Sequence, residues 1–416
     1  MRRRITTLAV CAAVVAASTG MWTPAASAAP GHDHGRLVGT VGVTAARPAQ
    51  ESTTPVPSGS GERCTAARGK TKFCVRSDPA AFRDDDRMST RDAATCAVTG
   101  PVEMRYHRFG SCLKTAVTGT LVNDKGAVIG TGTLSMVHSI TLSATSSAFE
   151  EQTTVTLSNV TGQVTQVAVS LTASCTAGCV MTKASPWTGA KLLSRGQSAS
   201  GTVNYSETLA KGAVANTRTK YDAYVTVPNA VPAQPNVSWD GVIDIRCDNA
   251  VGNFAGCVYP GARPDLEVSL SLYGAAAVTY YWAQVALPDG WGAETPLRRL
   301  ASDSLAEANR RSTCDSSFVP FPDEIVVDDS CDEYPFAKTY EGGTPGGLCA
   351  DIVPLFEDGQ WQIYEANPNK PVTGTEKCVR GHVPLGENEG AGGELGRFTQ
   401  AQRVLDLDPY TVTVVN

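Results

Sequence analysis

The sequence predicts two parts of different architecture: an all-β, disulfide-stapled, sandwich-like region, followed by an α+β region at the carboxyl end. Three observations predict this division. Most of the 13 cysteines recur as close pairs, runs of alternating apolar and polar residues fill the middle of the chain, and helical spacing of apolar residues begins only after about residue 281. A chain of 416 residues, 42% of them hydrophobic, is long enough for two such parts and a sizeable core.

Residues 1–28 predict a secretory signal peptide. The basic start, Arg2 to Arg4, precedes an apolar stretch from Leu8 to Ala17, and Ala26-Ser27-Ala28 fits a cleavage site. The apolar run is too short to cross a bilayer, so we predict a secreted, extracellular protein. The next segment, 29–62, is rich in Gly, Ala, Pro, Ser and Thr and predicts a flexible linker or pro-segment.

The cysteine count agrees with export. Cys11 leaves with the signal peptide, and the 12 cysteines that remain are an even number in a chain whose disulfides would persist outside the cell. Neighbour pairing is the simplest prediction and gives Cys64–Cys74, Cys96–Cys112, Cys175–Cys179 and Cys247–Cys257. Sequence does not determine connectivity, which stays open for Cys314, Cys331, Cys349 and Cys378. A zinc site at Cys175 and Cys179 is the rival interpretation, but no second Cys/His pair follows at a finger-like distance.

Residues 63–280 predict the sandwich-like domain. Val167, Val169 and Leu171 alternate with small or polar residues, as in a strand with one buried face. The segment 123–126, Asn-Asp-Lys-Gly, predicts a hairpin turn between two such runs. A later strand is predicted at Leu266–Leu272. Short strands separated by turn signals are typical of an antiparallel sandwich.

Residues 290–416 predict the α+β domain. Apolar residues spaced from Leu297 to Leu305 predict a helix that ends near Arg310-Arg311. A second helix is predicted at Gly393–Asp406, and a final strand at Thr411–Val415.

Charge is distributed unevenly between these parts. The formal net charge of the chain is -6, but the segment from Ala286 to the end holds 10 basic and 22 acidic residues, a net of -12. Such an acidic region argues against simple electrostatic capture of nucleic acid. A carboxylate-rich site that binds a cation is compatible with it.

Two motifs in the last third indicate chemistry. The first is Cys331-Asp332-Glu333-Tyr334-Pro335, which is followed by Glu341-Gly342-Gly343. The second is Asn388-Glu389-Gly390-Ala391-Gly392. Together they resemble the signature of the NucA/NucB family of secreted bacterial deoxyribonucleases, and the preceding part of the chain resembles the β-rich extension of larger exported members.

The resemblance implies a ββα-metal-like fold and a secreted, metal-dependent endonuclease that hydrolyses phosphodiester bonds of DNA, with RNA left open. It points to Asp332 as the general base, at the place where small ββα-metal nucleases use histidine. Glu333, Glu341 and Asn388 are the other candidate catalytic residues. Glu341 and Asn388 are the candidate ligands of Mg²⁺ or Mn²⁺, because oxygen ligands suit hard cations.

The basic pair Arg310 and Arg311 is the candidate substrate-binding site for the phosphates of nucleic acid. A solvated helix end is the alternative for this pair. No membrane interaction and no obligate protein partner are expected.

The other candidates have structural alternatives too. Asn388 could be a helix N-cap, Glu341 could cap a turn, and Glu333 could orient a neighbour. A long insertion precedes Asn388 and contains His382, for which a place in a surface loop is favoured over a catalytic role. The insertion also contains Cys349 and Cys378, which could close a loop.

Two other classes of function compete. The β-rich part is long enough to be a non-enzymatic adhesin or binding protein with a degenerate nuclease-like tail. A carbohydrate-active enzyme with paired carboxylates is the third interpretation, but only scattered aromatic residues support it. The presence of Asp332, Glu341 and Asn388 together favours the nuclease.

Overall fold

The computed structural model describes residues 35–41, 71–78, 81–82, 96, 103–176 and 178–416. The predicted signal peptide lies outside these residues, and so does Cys64. The described residues, which begin at Gly35, belong to one compact unit.

Three sheets make up the β-rich region. The first strand of the chain, β1 Leu37–Val41, belongs to a sheet of the C-terminal region. The strands of the β-rich region are β2 Lys72–Asp78, β3 Ala81–Phe82, β4 Glu103–His107, β5 Gly110–Val122, β6 Val128–Ser143, β7 Ser146–Gly162, β8 Gln166–Cys175, β9 Val180–Lys183, β10 Lys191–Ser194, β11 Ser198–Ser206, β12 Val214–Thr217, β13 Thr219–Thr226, β14 Val231–Gln234, β15 Asn236–Asp240, β16 Ile245–Asp248 and β17 Gly256–Val258. The largest sheet has the order β14-β2-β5-β6-β7-β11-β9, with β4 beside β5 and β3 beside β4. The others are β10-β8-β13-β15 and β12-β16-β17.

The alternating pattern of β8 explains how the two larger sheets pack. Val167, Val169 and Leu171 are all buried in a core that both sheets share. Gly132 of β6 lies so close to β8 that a Cβ atom there would come within 2.9 Å of the Val167 side chain. The β-rich prediction is therefore confirmed, with strands of the two sheets facing each other across a common core.

The predicted hairpin turn at 123–126 joins β5 to β6. Gly126 has a φ of 80°, which favours glycine, and the side-chain oxygen of Asn123 accepts hydrogen bonds from the backbone N–H groups of Lys125 and Ala127. The turn residues thus satisfy the local backbone and set the register of the hairpin.

The disulfides follow the neighbour pattern. The described pairs are Cys96–Cys112, Cys175–Cys179, Cys247–Cys257, Cys314–Cys331 and Cys349–Cys378. Cys74 is also disulfide-bonded. The bond between Cys175 and Cys179 excludes the zinc interpretation, and the bond between Cys349 and Cys378 closes the loop that the sequence suggested.

The C-terminal region combines helices with sheets, as predicted, and three of the four strand pairs of its larger sheet are antiparallel. Its elements are β18 Asp265–Ser269, α1 Leu270–Ala286, β19 Leu297–Arg298, α2 Asp303–Thr313, β20 Asp329–Tyr334, a 3₁₀ turn Gly346–Leu348, β21 Ala350–Glu357, β22 Gln360–Glu365, β23 Val379–Pro384, α3 Leu385–Ala401 and β24 Pro409–Val415. A five-stranded sheet has the order β1-β22-β21-β23-β20, and a small sheet has the order β18-β24-β19. The apolar helix α1 packs on the larger sheet and forms the core of this region.

Helix boundaries differ from the prediction. The strand predicted at Leu266–Leu272 ends at Ser269, because α1 begins at Leu270 and continues through the strong helix formers Ala275 to Ala277. Helix α2 begins later than expected, after Ser302, whose hydroxyl caps it.

Helix α3 begins at Leu385, eight residues before the prediction. Its first half contains Gly386, Gly390, Gly392 and Gly393, which lower helix propensity in a sequence but do not prevent helix formation when tertiary contacts hold the segment. The predicted final strand is confirmed and begins slightly earlier, at Pro409.

Strand β1 lies within the segment 29–62, for which the sequence predicts a linker. It forms the edge of the five-stranded sheet and pairs with β22, with Val41 opposite Trp361. At the other predicted boundary, β18 and α1 precede residue 290 and still pack with the C-terminal elements. The division into domains at 63–280 and 290–416 stays a prediction.

A buried charged cluster joins the β-rich region to the C-terminal region. Arg403, which is 2% exposed, donates to both carboxylate oxygens of Asp248 in β16. Arg246 of β16 donates to Asp408, and Arg108 donates to the backbone oxygen of Arg403. Breaking a buried pair of this kind leaves an uncompensated charge, so these contacts couple the stability of the two regions.

Candidate active site

The first motif lies on β20, at the edge of the larger sheet. Asp332 pairs with Gly381 of β23, and Glu333 pairs with Arg380. Because successive side chains of a strand point to opposite faces, Asp332 faces α1 while Glu333 faces the other side of the sheet. The two acids of the motif therefore lie in different surroundings.

Asp332 is buried, with 4% of its surface exposed. Its Oδ1 accepts a hydrogen bond of 3.1 Å from the Tyr280 hydroxyl of α1, and its Oδ2 has no hydrogen-bond partner among the described residues. Burial raises the pKa of Asp332 well above its ordinary value, and the negative charge of Glu333 raises it further, while the Tyr280 hydrogen bond opposes the rise. Asp332 is thus a buried acid with one free acceptor atom.

Glu333 lies beside α2 and the disulfide of Cys314. One carboxylate oxygen is 3.9 Å from Nε of Arg310, and the other is 3.5 Å from the Cys314 sulfur. Burial raises the pKa of Glu333, and the nearby charge of Arg310 lowers it. These contacts agree with the alternative in which Glu333 orients a neighbour.

Asn388, in the first turn of α3, ties that helix to β20. Its side-chain N–H group donates to the Ser330 hydroxyl and to the carbonyl oxygen of Cys331, each at 3.1 Å. The helix N-cap is Pro384, so the interpretation of Asn388 as an N-cap is wrong. The structure therefore brings Asn388 to the strand segment directly before Asp332.

Glu341 has a different set of partners. Its two carboxylate oxygens accept hydrogen bonds of 2.8 Å from the backbone N–H and from Nε of Arg298, and its side chain is only 2% exposed. This ion pair ties the loop after the first motif to Arg298 of β19, so the partners of Glu341 are not the groups of its own turn that the turn-cap alternative expected.

Arg310 and Arg311 end helix α2 and remain accessible. Both pair with Glu307, one turn earlier, at 2.8 and 2.9 Å. Their side chains are 52% and 77% exposed, so both guanidinium groups can reach a phosphate in solution.

His382 does not lie in a surface loop, so that expectation is wrong. It is buried in β23, its Nδ1 lies 2.6 Å from Oδ2 of Asp329, and its ring stacks on Phe318 and packs against Phe321. Strand pairing with Cys331 places it on the Glu333 face of the sheet, opposite to Asp332.

Tyr280 is the site residue that sequence reasoning missed. It lies in an apolar helix, where an aromatic residue is usually core. The sequence does contain an indication of its role. The run Tyr280-Tyr281-Trp282 carries polar O–H and N–H groups in an otherwise apolar helix, and a buried tyrosine hydroxyl normally finds a hydrogen-bond partner.

The predicted metal ligands Glu341 and Asn388 have partners within the protein. Both oxygens of Glu341 are engaged by Arg298, and no group of three or more His, Cys, Asp or Glu side chains arranged to hold a metal occurs within the described ranges. The hydrogen bonds of Asn388 are donated by its side-chain N–H group, and its amide oxygen is the atom that could ligate a metal. The pair Glu341 and Asn388 therefore does not fit a metal ion in this arrangement, and its assignment as a ligand pair stays a prediction.

Comparison with known protein families supports the resemblance indicated by the first motif. The family model Deoxyribonuclease NucA/NucB matches residues 291–362, which include Asp332, Glu333 and Glu341 and end before Asn388. This match confirms the resemblance to the family for the C-terminal part of the chain.

Comparisons of the whole chain add little. No curated protein matches it. Among solved structures, it is similar to the native conformation of E. coli alpha-2-macroglobulin at 9% identity and a TM-score of 0.19, over 31% of this chain and 8% of that one. A likeness this weak carries no argument about fold or function. In the part of the chain that the structure describes, no helix is both long enough and apolar enough to span a membrane.

Proposed function

We propose that this chain is a secreted, metal-dependent endonuclease that hydrolyses phosphodiester bonds of DNA, with RNA open as a second substrate. The observation that carries the proposal is the family match over residues 291–362, which includes a buried acid, Asp332, with one unpartnered carboxylate oxygen. The five described disulfides, together with the disulfide-bonded Cys74, support an oxidising, extracellular location.

Asp332 is the proposed general base. A base works best when its pKa lies near the working pH, and burial beside Glu333 moves the pKa of Asp332 upward from the acidic range. Its Oδ2 is the atom that would take the proton, since Oδ1 is engaged by Tyr280. Because the carboxylate is buried, we propose that it acts through one water molecule, as general bases also do.

The remaining candidates have supporting roles in this proposal. Asn388 holds the backbone directly before Asp332 and so keeps the carboxylate in place. Glu333 orients Arg310, and the exposed guanidinium groups of Arg310 and Arg311 bind substrate phosphates.

Metal dependence follows from the family resemblance and stays part of the proposal. Since the pair Glu341 and Asn388 does not fit a metal ion in this arrangement, no step is derived through one. Both residues remain candidates, and Mg²⁺ and Mn²⁺ are the cations to test.

The test is cleavage of plasmid DNA by the purified, disulfide-intact chain, with Mg²⁺ or Mn²⁺ and with excess EDTA. We expect nicking and linearisation that EDTA abolishes. Complete inactivity with every divalent cation tested would favour the non-enzymatic binding protein. Full activity in excess EDTA would retain the nuclease and remove its metal dependence.

A further inference from the structure

The Tyr280 hydroxyl is the hydrogen-bond donor that the described residues supply to the Asp332 carboxylate. We infer that Tyr280 is a positioning residue for Asp332: it holds Oδ1, leaves Oδ2 as the proton acceptor, and favours the ionised carboxylate in a buried site. This inference rests on the proposed function. Tyr280 lies outside the segment that matches the family model, so the match does not assign it a role.

The approach of helix α1 to the sheet is built into the sequence. Gly381, the residue opposite Asp332 on β23, faces α1, and a Cβ atom there would lie 2.4 Å from the Thr279 hydroxyl. A side chain at this position would push α1 away from the sheet. The glycine therefore permits the close contact that brings Tyr280 to Asp332.

The start of α1 is fixed as well. The helix bends at Gly274, with a φ of 31°, and the backbone N–H of Ala275 donates to the Glu387 carboxylate of α3 at 2.5 Å. Glu387 directly precedes Asn388, which is bonded to β20. One turn of α3 thus anchors both the helix that carries Tyr280 and the strand that carries Asp332.

The ring of Tyr280 packs against two aromatic residues, one at the end of β20 and one just after it. It stacks on Tyr334 at a centroid distance of 5.3 Å and meets Phe336 edge-on at 4.9 Å. Side chains locked by packing hold a functional group more accurately than mobile ones do. The hydroxyl therefore has little freedom to leave the carboxylate.

Among the described residues, the groups that surround Asp332 on the neighbouring elements do not include a positive charge that would stabilise its carboxylate. On β20 the neighbouring charge is Glu333, which disfavours ionisation of Asp332. From β23 the opposite residue, Gly381, has no side chain, and Arg380 lies on the other face, bonded to Asp351. From α3, Glu387 is bonded to Ala275, and Asn388 is uncharged. The hydrogen bond from the Tyr280 hydroxyl is then the contact that favours ionisation of Asp332, against the effects of burial and of the Glu333 charge.

The test compares Tyr280→Phe with the matched control Tyr281→Phe, in the full disulfide-bonded chain. Tyr281 is the next residue of α1, partly buried, and its hydroxyl does not bond Asp332. Initial rates of plasmid cleavage are measured from acidic to alkaline pH. Removing the hydroxyl raises the pKa of Asp332, so the acid limb of the rate profile for Tyr280→Phe should move upward by about one pH unit. The rate should recover at alkaline pH, and Tyr281→Phe should follow the wild type.

A double variant separates positioning from simple structural support. If Tyr280 acts through Asp332, adding Tyr280→Phe to Asp332→Asn should cost less than a twofold further loss of rate, within the usual additivity error. Loss of the same factor in both backgrounds, or an unshifted acid limb, overturns the inference while the nuclease proposal stands. A wild-type chain that cleaves no DNA overturns both.

Discussion

Two buried carboxylates, one in each region of the molecule, have opposite hydrogen-bonding states. Glu151 of the β-rich region is 0% exposed, and its oxygens accept four hydrogen bonds, from His138, Thr153, Tyr205 and Tyr221. Asp332 of the C-terminal region is almost as deeply buried, yet one hydroxyl serves its Oδ1 and none of the described residues serves its Oδ2.

Under the proposed function, the difference separates a structural acid, Glu151, from the proposed general base, Asp332. A carboxylate with every lone pair occupied can link strands, since Glu151 on β7 joins β6, β11 and β13, but it has no free atom with which to take a proton. A carboxylate with an unused oxygen costs stability, because buried polar groups are normally paired. Buried acids with a raised pKa, as at Asp332, cluster at functional sites.

The largest expected effect is on turnover. Asp332→Asn keeps the shape of the side chain and removes its basic oxygen, so we expect the cleavage rate to fall by roughly 10²–10⁴-fold. Initial plasmid cleavage rates, with circular dichroism as the control for folding, measure it. A folded variant with a near-normal rate would remove Asp332 as the base and turn attention to Glu333 and His382.

The reverse pattern is expected for Glu151→Gln. The substitution places an N–H group among hydroxyl and imidazole donors, and we expect the free energy of unfolding to fall by about 3 kcal/mol. Cleavage per folded molecule should stay at the wild-type level. Denaturant unfolding measures the free energy of unfolding, and the plasmid assay measures the cleavage rate. A stability equal to that of the wild type would mean that the network of Glu151 is not a structural link.

The pH dependence of stability sharpens the same contrast. The pKa of Asp332 is raised in the folded chain, so its contribution to stability is fully present at a pH below the unfolded value, near 4, and is lost as pH rises through the folded value. Asp332→Asn cannot ionise, so its stability relative to the wild type should increase with pH, by about 1.4 kcal/mol for each unit of pKa shift. Unfolding free energies of both chains at several pH values test this, and a constant gap would contradict the raised pKa.

Asn388→Ala should have a moderate effect. It removes the two hydrogen bonds that tie α3 to β20, and we expect a loss of about 1–2 kcal/mol in unfolding free energy. If Asn388 is also a metal ligand, the concentration of Mg²⁺ needed for half-maximal activity should rise. Titrating Mg²⁺ against the cleavage rate, with Asn369→Ala as an exposed control, separates the two roles. An unchanged Mg²⁺ requirement would limit Asn388 to holding the strand.

The smallest effect is expected at the exposed end of α2. Arg311→Ala should change the free energy of unfolding by less than about 0.5 kcal/mol, because the side chain is 77% exposed. DNA binding should weaken, and the slope of log affinity against log salt should decrease by about 0.9 for one lost phosphate contact. Binding isotherms at several salt concentrations decide, and an unchanged slope would leave Arg311 as a solvated helix end.

The local chemistry of this protein could be predicted from its sequence. Alternation of Val167, Val169 and Leu171 predicted strands, because a strand with one buried face must repeat every two residues. Close cysteine spacing predicted three of the described disulfides, and the motif around Asp332 predicted the family match. Each of these features is encoded by residues near one another in the chain.

Only the tertiary structure decided which partners the site residues have. Tyr280 and Asp332 are 52 positions apart in the chain. Glu341 is bonded to Arg298, and Asn388 is bonded to β20, so both depend on residues far away in the sequence. The burial of His382 likewise depends on Phe318 and Asp329. Motif residues identify which groups are available, but distant segments that pack against them set their burial and hydrogen bonding. These segments determine which carboxylate oxygens are hydrogen-bonded and which are not, and how the pKa of each group is shifted.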